Sequence, residues 1–379
     1  MLQNPALANT DRARRYHDPR YRAIFVDLAL GLAFLALVAL TPLGHGLSSV
    51  VHPLPETLGA FVLGALLVVL SALVRLPLSV WLGLTHERAF GFSRQTGKEY
   101  ALDRLKSVAI GAALSGAGMA GLVGAAVLFP GWWPLLAGIG AALLVLLLSF
   151  VAPVLLEPVF NRFEPLDDAE LRDAVLHLAE DAGVPVREVL VADASRRTTK
   201  VNAYVSGLGA TRRVVLYDTL LEEATTPEVL TVVAHELGHR RYRHVALGTA
   251  LAMAGAVEFV LAVWALLQVD AALEAIDAAG AGDGRIVPFV MLVGSVLGLL
   301  LAPVQASISR TWEYACDRFA VEQTRDLGAF ESAFARLSDA NLPDPSPPRI
   351  VYVWFFSHPT VPERLEAARR AAGSSTVPA

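Results

Sequence analysis

The chain has 379 residues, of which 54% are hydrophobic and 18% charged, and its mean hydropathy is +0.50. Soluble globular domains carry about 25% charged residues, so this composition excludes both a disordered chain and a simple water-soluble domain. A net charge of −5 argues against a general nucleic-acid surface, and one cysteine, Cys316, excludes an intrachain disulfide framework and a cysteine-based zinc cluster.

A hydrocarbon core about 30 Å thick needs about 20 apolar residues at a rise of about 1.5 Å each. Such stretches lie near 23–43, 57–84, 107–129, 133–156, 245–268 and 286–309, which predicts six spans. The first follows an arginine-rich segment and precedes no small-residue cleavage site, so it reads as an uncleaved span. Residues 1–22 carry Arg12, Arg14, Arg15, Arg20 and Arg22, and loop 85–106 carries Arg88, Arg94, Lys98, Arg104 and Lys106. Loops 44–56 and 130–132 carry neither lysine nor arginine. The positive-inside rule then predicts both termini and the 157–244 segment on the cytoplasmic side. Lysine occurs only at Lys98, Lys106 and Lys200, an arginine bias that suggests prokaryotic coding and hence a cell inner membrane.

Four regions follow. Residues 1–156 form an N-terminal membrane region of four spans, 157–244 a cytoplasmic segment, 245–309 a hairpin of two spans, and 310–379 a helical C-terminal segment. Asp27, Arg75 and Glu258 fall inside spans, where unpaired charge is costly, so they are expected to face an interior water space or one another. Snorkelling to the interface accounts for Asp27 equally well. Within 157–244, helical periodicity covers 168–183, and short β-branched runs at 189–192 and Arg213–Tyr217 flank the turn-rich 206–209. Residues 310–372 read as helices interrupted by prolines at 343–348.

The strongest chemical signal is the run His235, Glu236, Leu237, Gly238, His239. Residues four apart share one helical face with β-carbons about 5–6 Å apart, so both imidazoles can reach one Zn2+ while Glu236 faces its water. Gly238 costs the helix about 1 kcal/mol against alanine, which points to a packing or functional reason for it. A catalytic zinc site needs a third protein ligand. Glu313 and Asp317 form a second i,i+4 pair just after span six, and the hairpin of spans five and six returns them to the face of His235 and His239. Glu313 can then bind the metal and Asp317 can accept a hydrogen bond from a ligand imidazole; taken without the histidine motif, the pair reads as a solvated helix face. Cys316 reads as packing. His17, His45, His52, His86, His177 and His244 read as non-ligands, His244 being nearest the site.

At this point the residues carry a resemblance. Asn202-Ala203-Tyr204, the stretch from Arg213 to Leu220, His235 to His239, Glu313 to Asp317, and Ser357-His358-Pro359 leading to Glu363-Arg364-Leu365 stand in the order seen in integral-membrane type I CAAX prenyl proteases. Leu76-Pro77-Leu78, Phe90-Gly91-Phe92 and the run from Pro158 to Asn161 also resemble that family, so the match covers roughly 75–370. The resemblance implies a predominantly α polytopic protein, its membrane helices enclosing a water-filled chamber, with a metallopeptidase domain containing a small β-sheet. It also implies His235, His239 and Glu313 as zinc ligands, Glu236 as catalytic base, Asp317 behind the ligands, and Asn202 and Tyr204 on an edge strand that meets substrate. Two departures stand out: one helix fewer between the first and second spans than in the seven-spanning eukaryotic members, and Lys200 where a histidine is often found.

The chemistry expected is zinc-dependent hydrolysis in which Glu236 takes the proton of the attacking water and returns it to the leaving amine. His358, before Pro359, is the candidate donor to the oxyanion, with a surface histidine capping the terminal helix as the alternative. Asn202 is a second candidate contact. Arg364 orders Asp317, contacts the substrate carbonyl, or forms an ordinary salt bridge. Substrate would add as a strand along 202–206, unless this is a plain structural strand end. The expected partners are a membrane-associated or C-terminal CAAX-like peptide and the lipid bilayer, with no nucleic acid; no oligomeric state follows. A heat-shock type quality-control protease and a transporter or channel with a structural zinc site are the competing functions.

Overall fold

In the computed structural model, which describes residues 10–51, 53–207 and 209–374, six helices are long and apolar enough to cross a membrane. They are Thr10–Leu40, Glu56–Val74, Gly97–Leu128, Trp133–Val151, His244–Leu266 and a last one that opens at Gly284 and runs as regular helix over Val287–Thr324. The six expected spans are therefore present with shifted bounds, and each shift has a cause. The stretch expected at 57–84 breaks at Arg75, because Pro77 has no N–H to continue the hydrogen-bond ladder; a short helix Leu76–Val80 and a wider turn follow. Gly97–Leu128 begins ten residues before the apolar run because Thr96 and Glu99 form a reciprocal N-terminal cap. The last span does not stop at 309: polar residues enter from Arg310 onward without any helix breaker, so one helix carries both the span and Glu313, Cys316 and Asp317.

The membrane helices pack around Leu63, Leu67, Val123, Val260, Val263, Val287 and Val290, all buried. Glu56–Val74 and Gly97–Leu128 approach closely because Gly116 meets the Phe61 backbone; a β-carbon there would stand 2.7 Å from the Phe61 carbonyl oxygen. Asp27 and Arg75 face one another in a bidentate pair, with Arg75 Nε donating to Asp27 Oδ1 at 2.8 Å. The pair lines a cavity of about 780 Å3 between the first, second, third and last spans. Glu258 is exposed on His244–Leu266.

The polar half is built on a four-stranded sheet: β1 (Phe163–Pro165), β2 (Glu188–Ala192), β3 (Ala203–Ser206) and β4 (Arg213–Tyr217), in the order β1-β2-β4-β3. Only β2 and β4 run parallel; β3 pairs antiparallel with β4, Ala203 opposite Leu216, and forms one edge. β1 lay outside the expected strands, since three residues ending in proline carry no alternation. The helix Ala169–Asp181, capped by the Asp168 carboxylate, packs Val175 and Ala179 into a core shared with Val189, Val214, Leu216, Val233 and Leu237.

Candidate metal centre and active site

The helix Thr226–Arg241 carries the two histidines. Thr225 and Glu228 close a capping box at its start, and Pro227 occupies the first turn, where a missing N–H costs nothing. Glu228 also receives Arg336 Nε at 2.9 Å and the Ser332 hydroxyl from the helix Leu327–Asn341. Burial alone would raise its pKa, but these bonds and the Thr225 N–H outweigh it and draw the carboxyl down to about 2. Val229, Val233 and Leu237 face the sheet core. Gly238 sits where this helix crosses Val287–Thr324; a β-carbon on it would lie 3.2 Å from Cα and Sγ of Cys316 and from the Phe319 ring. The packing reason expected for Gly238 is this crossing, and it draws Glu313 up to the histidines.

His235 Nε2 and His239 Nε2 are 3.3 Å apart, and each lies 3.3 Å from one oxygen of Glu313. A tetrahedral centre with metal to ligand distances of about 2.0–2.1 Å separates its ligand atoms by about 3.3 Å, so the three side chains fit one ion of zinc's size and geometry. Glu313 Oε2 is buried without a well-formed hydrogen bond and faces His235 Nε2 and Arg364 Nη2 at 3.3 Å each. Asp317 Oδ1 lies 2.9 Å from Nδ1 of His235. Arg364 holds Asp317 in turn, with Nε 2.8 Å from Oδ2 and Nη2 2.6 Å from Oδ1, above the Phe334 ring. Arg364 thus orders Asp317 through a salt bridge and also lines the cavity that holds Glu236 and His358, in reach of a bound substrate.

Glu236 lines a cavity of about 480 Å3 together with His235, Glu313, Asn202, Ala203 and His358. Burial raises the pKa of its carboxyl. His358 Nε2 stands 3.4 Å from Glu313 Oε1, and its Nδ1 is 2.8 Å from the Ser357 hydroxyl. The alternative of a helix-capping histidine is set aside: Thr360 and Glu363 provide those capping bonds ahead of Val361–Ser374. Asn202 lines the cavity beside the start of β3. Tyr204 corrects the expectation, because strand alternation turns its ring to the other face, where its hydroxyl is 3.4 Å from Glu157 and outside the cavity lining. Lys200 is held by Tyr16 and Glu87 at 2.9 and 2.8 Å. Among the other histidines, His17 lines the same cavity as Glu236 and is held at the Leu342 carbonyl, while His86 and His177 have partners away from the site, at the Tyr16 carbonyl and Asp181. His45 lies 3.8 Å from Asp277. His244 lies directly behind His239, and His52 is outside the described residues. The sequence reading missed Glu228, although the spacing of Thr225 and Glu228 signals a capping box, and it missed Phe334 beneath Arg364, for which no local signal exists.

The sequence model of Peptidase family M48 matches residues 165–372, and that of the CAAX prenyl protease N-terminal segment, described by five membrane helices, matches residues 7–162. The chain belongs to peptidase family M48. Similar to this M48 peptidase are an uncharacterized metalloprotease, YhfN, of Bacillus subtilis and CAAX prenyl protease 1 of Saccharomyces cerevisiae. Each is 30% identical over 79% of this chain, covering 71% and 69% of the relative's length. The crystal structure of S. mikatae Ste24p superposes with a TM-score of 0.80 at 26% identity, over 94% of this chain and 88% of that one. The M48 peptidase is thus a multi-pass integral membrane metalloprotease with a Ste24p-like fold. Among its described residues, the N-terminal match holds four membrane-length helices, with only the ten-residue helix Pro42–Val51 between the first and second.

Proposed function

We propose that the chain is a zinc endopeptidase that cleaves membrane-associated or C-terminal CAAX-like peptides from the cytoplasmic side. The observation that carries this reading is the convergence of His235 Nε2 and His239 Nε2, 3.3 Å apart, on the Glu313 carboxylate, each 3.3 Å from a different oxygen of it, at a cavity that Glu236 also lines. His235, His239 and Glu313 hold the metal, and Asp317, locked by Arg364, fixes the tautomer of His235. Zinc bound there supplies a Lewis acid at the scissile carbonyl. Glu236 removes one proton from the attacking water as the carbon–oxygen bond forms, and delivers it to the amine nitrogen as the carbon–nitrogen bond breaks. His358 donates to the developing oxyanion, and β3, an edge strand whose outward Ala203 N–H and Val205 carbonyl are held by the Asn202 and Arg240 side chains, is where an extended substrate adds by displacing those contacts.

The cytoplasmic placement of both termini and a prokaryotic inner membrane belong to this same reading, supported by the arginines of 1–22 and 85–106, as do the regions divided at 156, 244 and 309, the last of which the helix Val287–Thr324 bridges. A transporter with a structural metal has no use for a carboxylate lining the accessible cavity. Glu236→Gln is expected to retain zinc and to lose about 10²–10⁴-fold in cleavage of a reporter peptide. Prenylated and unprenylated versions of that reporter, assayed on the purified protein, identify the substrate class. Undiminished cleavage by Glu236→Gln overturns the mechanism.

A further inference from the structure

The two ligand imidazoles are backed differently. His235 and His239 both turn Nε2 toward Glu313, so a cation there takes the Nε2 lone pair of each and leaves the ring proton on Nδ1. For His235 that N–H meets Asp317, an anion. For His239 it meets another ring: Nδ1 of His244 lies 3.2 Å away. Two nitrogens cannot both donate along one contact. With His239 donating, His244 accepts at Nδ1 and carries its own proton on Nε2.

His244 is held for this contact from several sides. It is buried, stacks on Trp312 with ring centroids 4.7 Å apart and planes within 5°, and has the Cys316 sulfur 3.6 Å from the same Nδ1. It opens the helix His244–Leu266 directly after Arg243, whose φ of 59° reverses the chain in the left-handed region that side chains disfavour. That reversal folds the His244 ring back onto a helix ending three residues earlier, at Arg241.

We infer that His244 is the positioning residue of His239, fixing its tautomer and ring orientation through a neutral imidazole acceptor where His235 uses a carboxylate. The inference rests on the proposed zinc site and adds a third histidine to it, behind the two ligands. Loss of such a supporting hydrogen bond weakens metal binding by about 10–100-fold.

The test measures zinc affinity of the full-length protein in detergent by competition with a chelator, together with the visible spectrum of the cobalt-substituted protein. His244→Phe keeps a ring against Trp312 but removes the acceptor; it is expected to bind zinc about 10–100-fold more weakly and to shift the cobalt bands. His244→Asn, whose side-chain oxygen takes the place of Nδ1, is expected to recover most of both. Melting of the metal-free proteins checks that His244→Phe still folds. If wild type binds no zinc, the proposed function itself fails. If wild type binds zinc and His244→Phe binds it equally well, only the role of His244 falls. A second zinc per chain that Cys316→Ala removes also overturns it, because His239, His244 and Cys316 would then be ligands in their own right.

Discussion

The helix Trp133–Val151 and strand β4 are both strongly apolar, and they use that property in opposite directions. On the helix, Leu135, Ile139, Leu143, Leu147 and Phe150 all point outward, about half exposed. On β4, Val214 and Leu216 are buried against the helices of the metallopeptidase half and Val215 among neighbouring strand residues on the other face of the sheet, all almost completely. Water drives the second arrangement, at about 1.5–3 kcal/mol for each large side chain buried. The first gains nothing from water and depends on lipid, where close contacts such as Gly116 on Phe61 hold the helices together. Hydrophobicity therefore reads as surface in one half and as interior in the other, and the polar chemistry collects where the interior regime begins. Val287–Thr324 passes through both regimes, with Val290 in the membrane core and Glu313 at the histidines.

That contrast can be broken at three points. The largest effect is expected for Glu313→Ala, which removes one of the three proposed ligand side chains from the helix that joins the two halves. Zinc affinity should fall by more than about 100-fold, beyond the loss of any supporting group, while helical circular dichroism in detergent stays unchanged. Stoichiometric zinc in the variant would show that this helix does not complete the site. Next comes a matched pair of truncations. Leu216→Ala is expected to cost about 2–5 kcal/mol in denaturant unfolding, whereas Leu147→Ala should stay within about 0.5 kcal/mol in detergent. Equal costs would erase the distinction between the halves. The third point is acid stability. The carboxyl of Glu228 lies near 2 against an ordinary 4.5, so its contribution is complete above pH 4.5 and drains away as pH falls toward 2. Glu228→Gln should therefore cost up to about 3 kcal/mol at pH 7 and progressively less below pH 4. A difference that does not shrink with acid would assign the loss to the hydrogen bonds alone.

The six spans were legible because length and apolarity are local properties, and the motif from His235 to His239 because helical geometry places residues four apart on one face. Glu313 and Asp317 were legible from a second i,i+4 pair and from the hairpin between them and the histidines. What escaped was decided by contacts between distant segments. The last span ran past its expected end because nothing in 310–324 breaks a helix, and charge alone does not end one. β1 is too short for a period. Tyr204 lies on the expected edge strand, but whether an odd or even residue faces the cavity depends on register with β4, which no run of four residues specifies. The role of His244 depends on one left-handed residue, Arg243, whose conformation composition does not announce.

The interval between His239 and Glu313 contains the whole of His244–Leu266 and most of Val287–Thr324. In the proposed site the two imidazoles are therefore made well ahead of the carboxylate, so the metal centre stays incomplete until the last helix is in place.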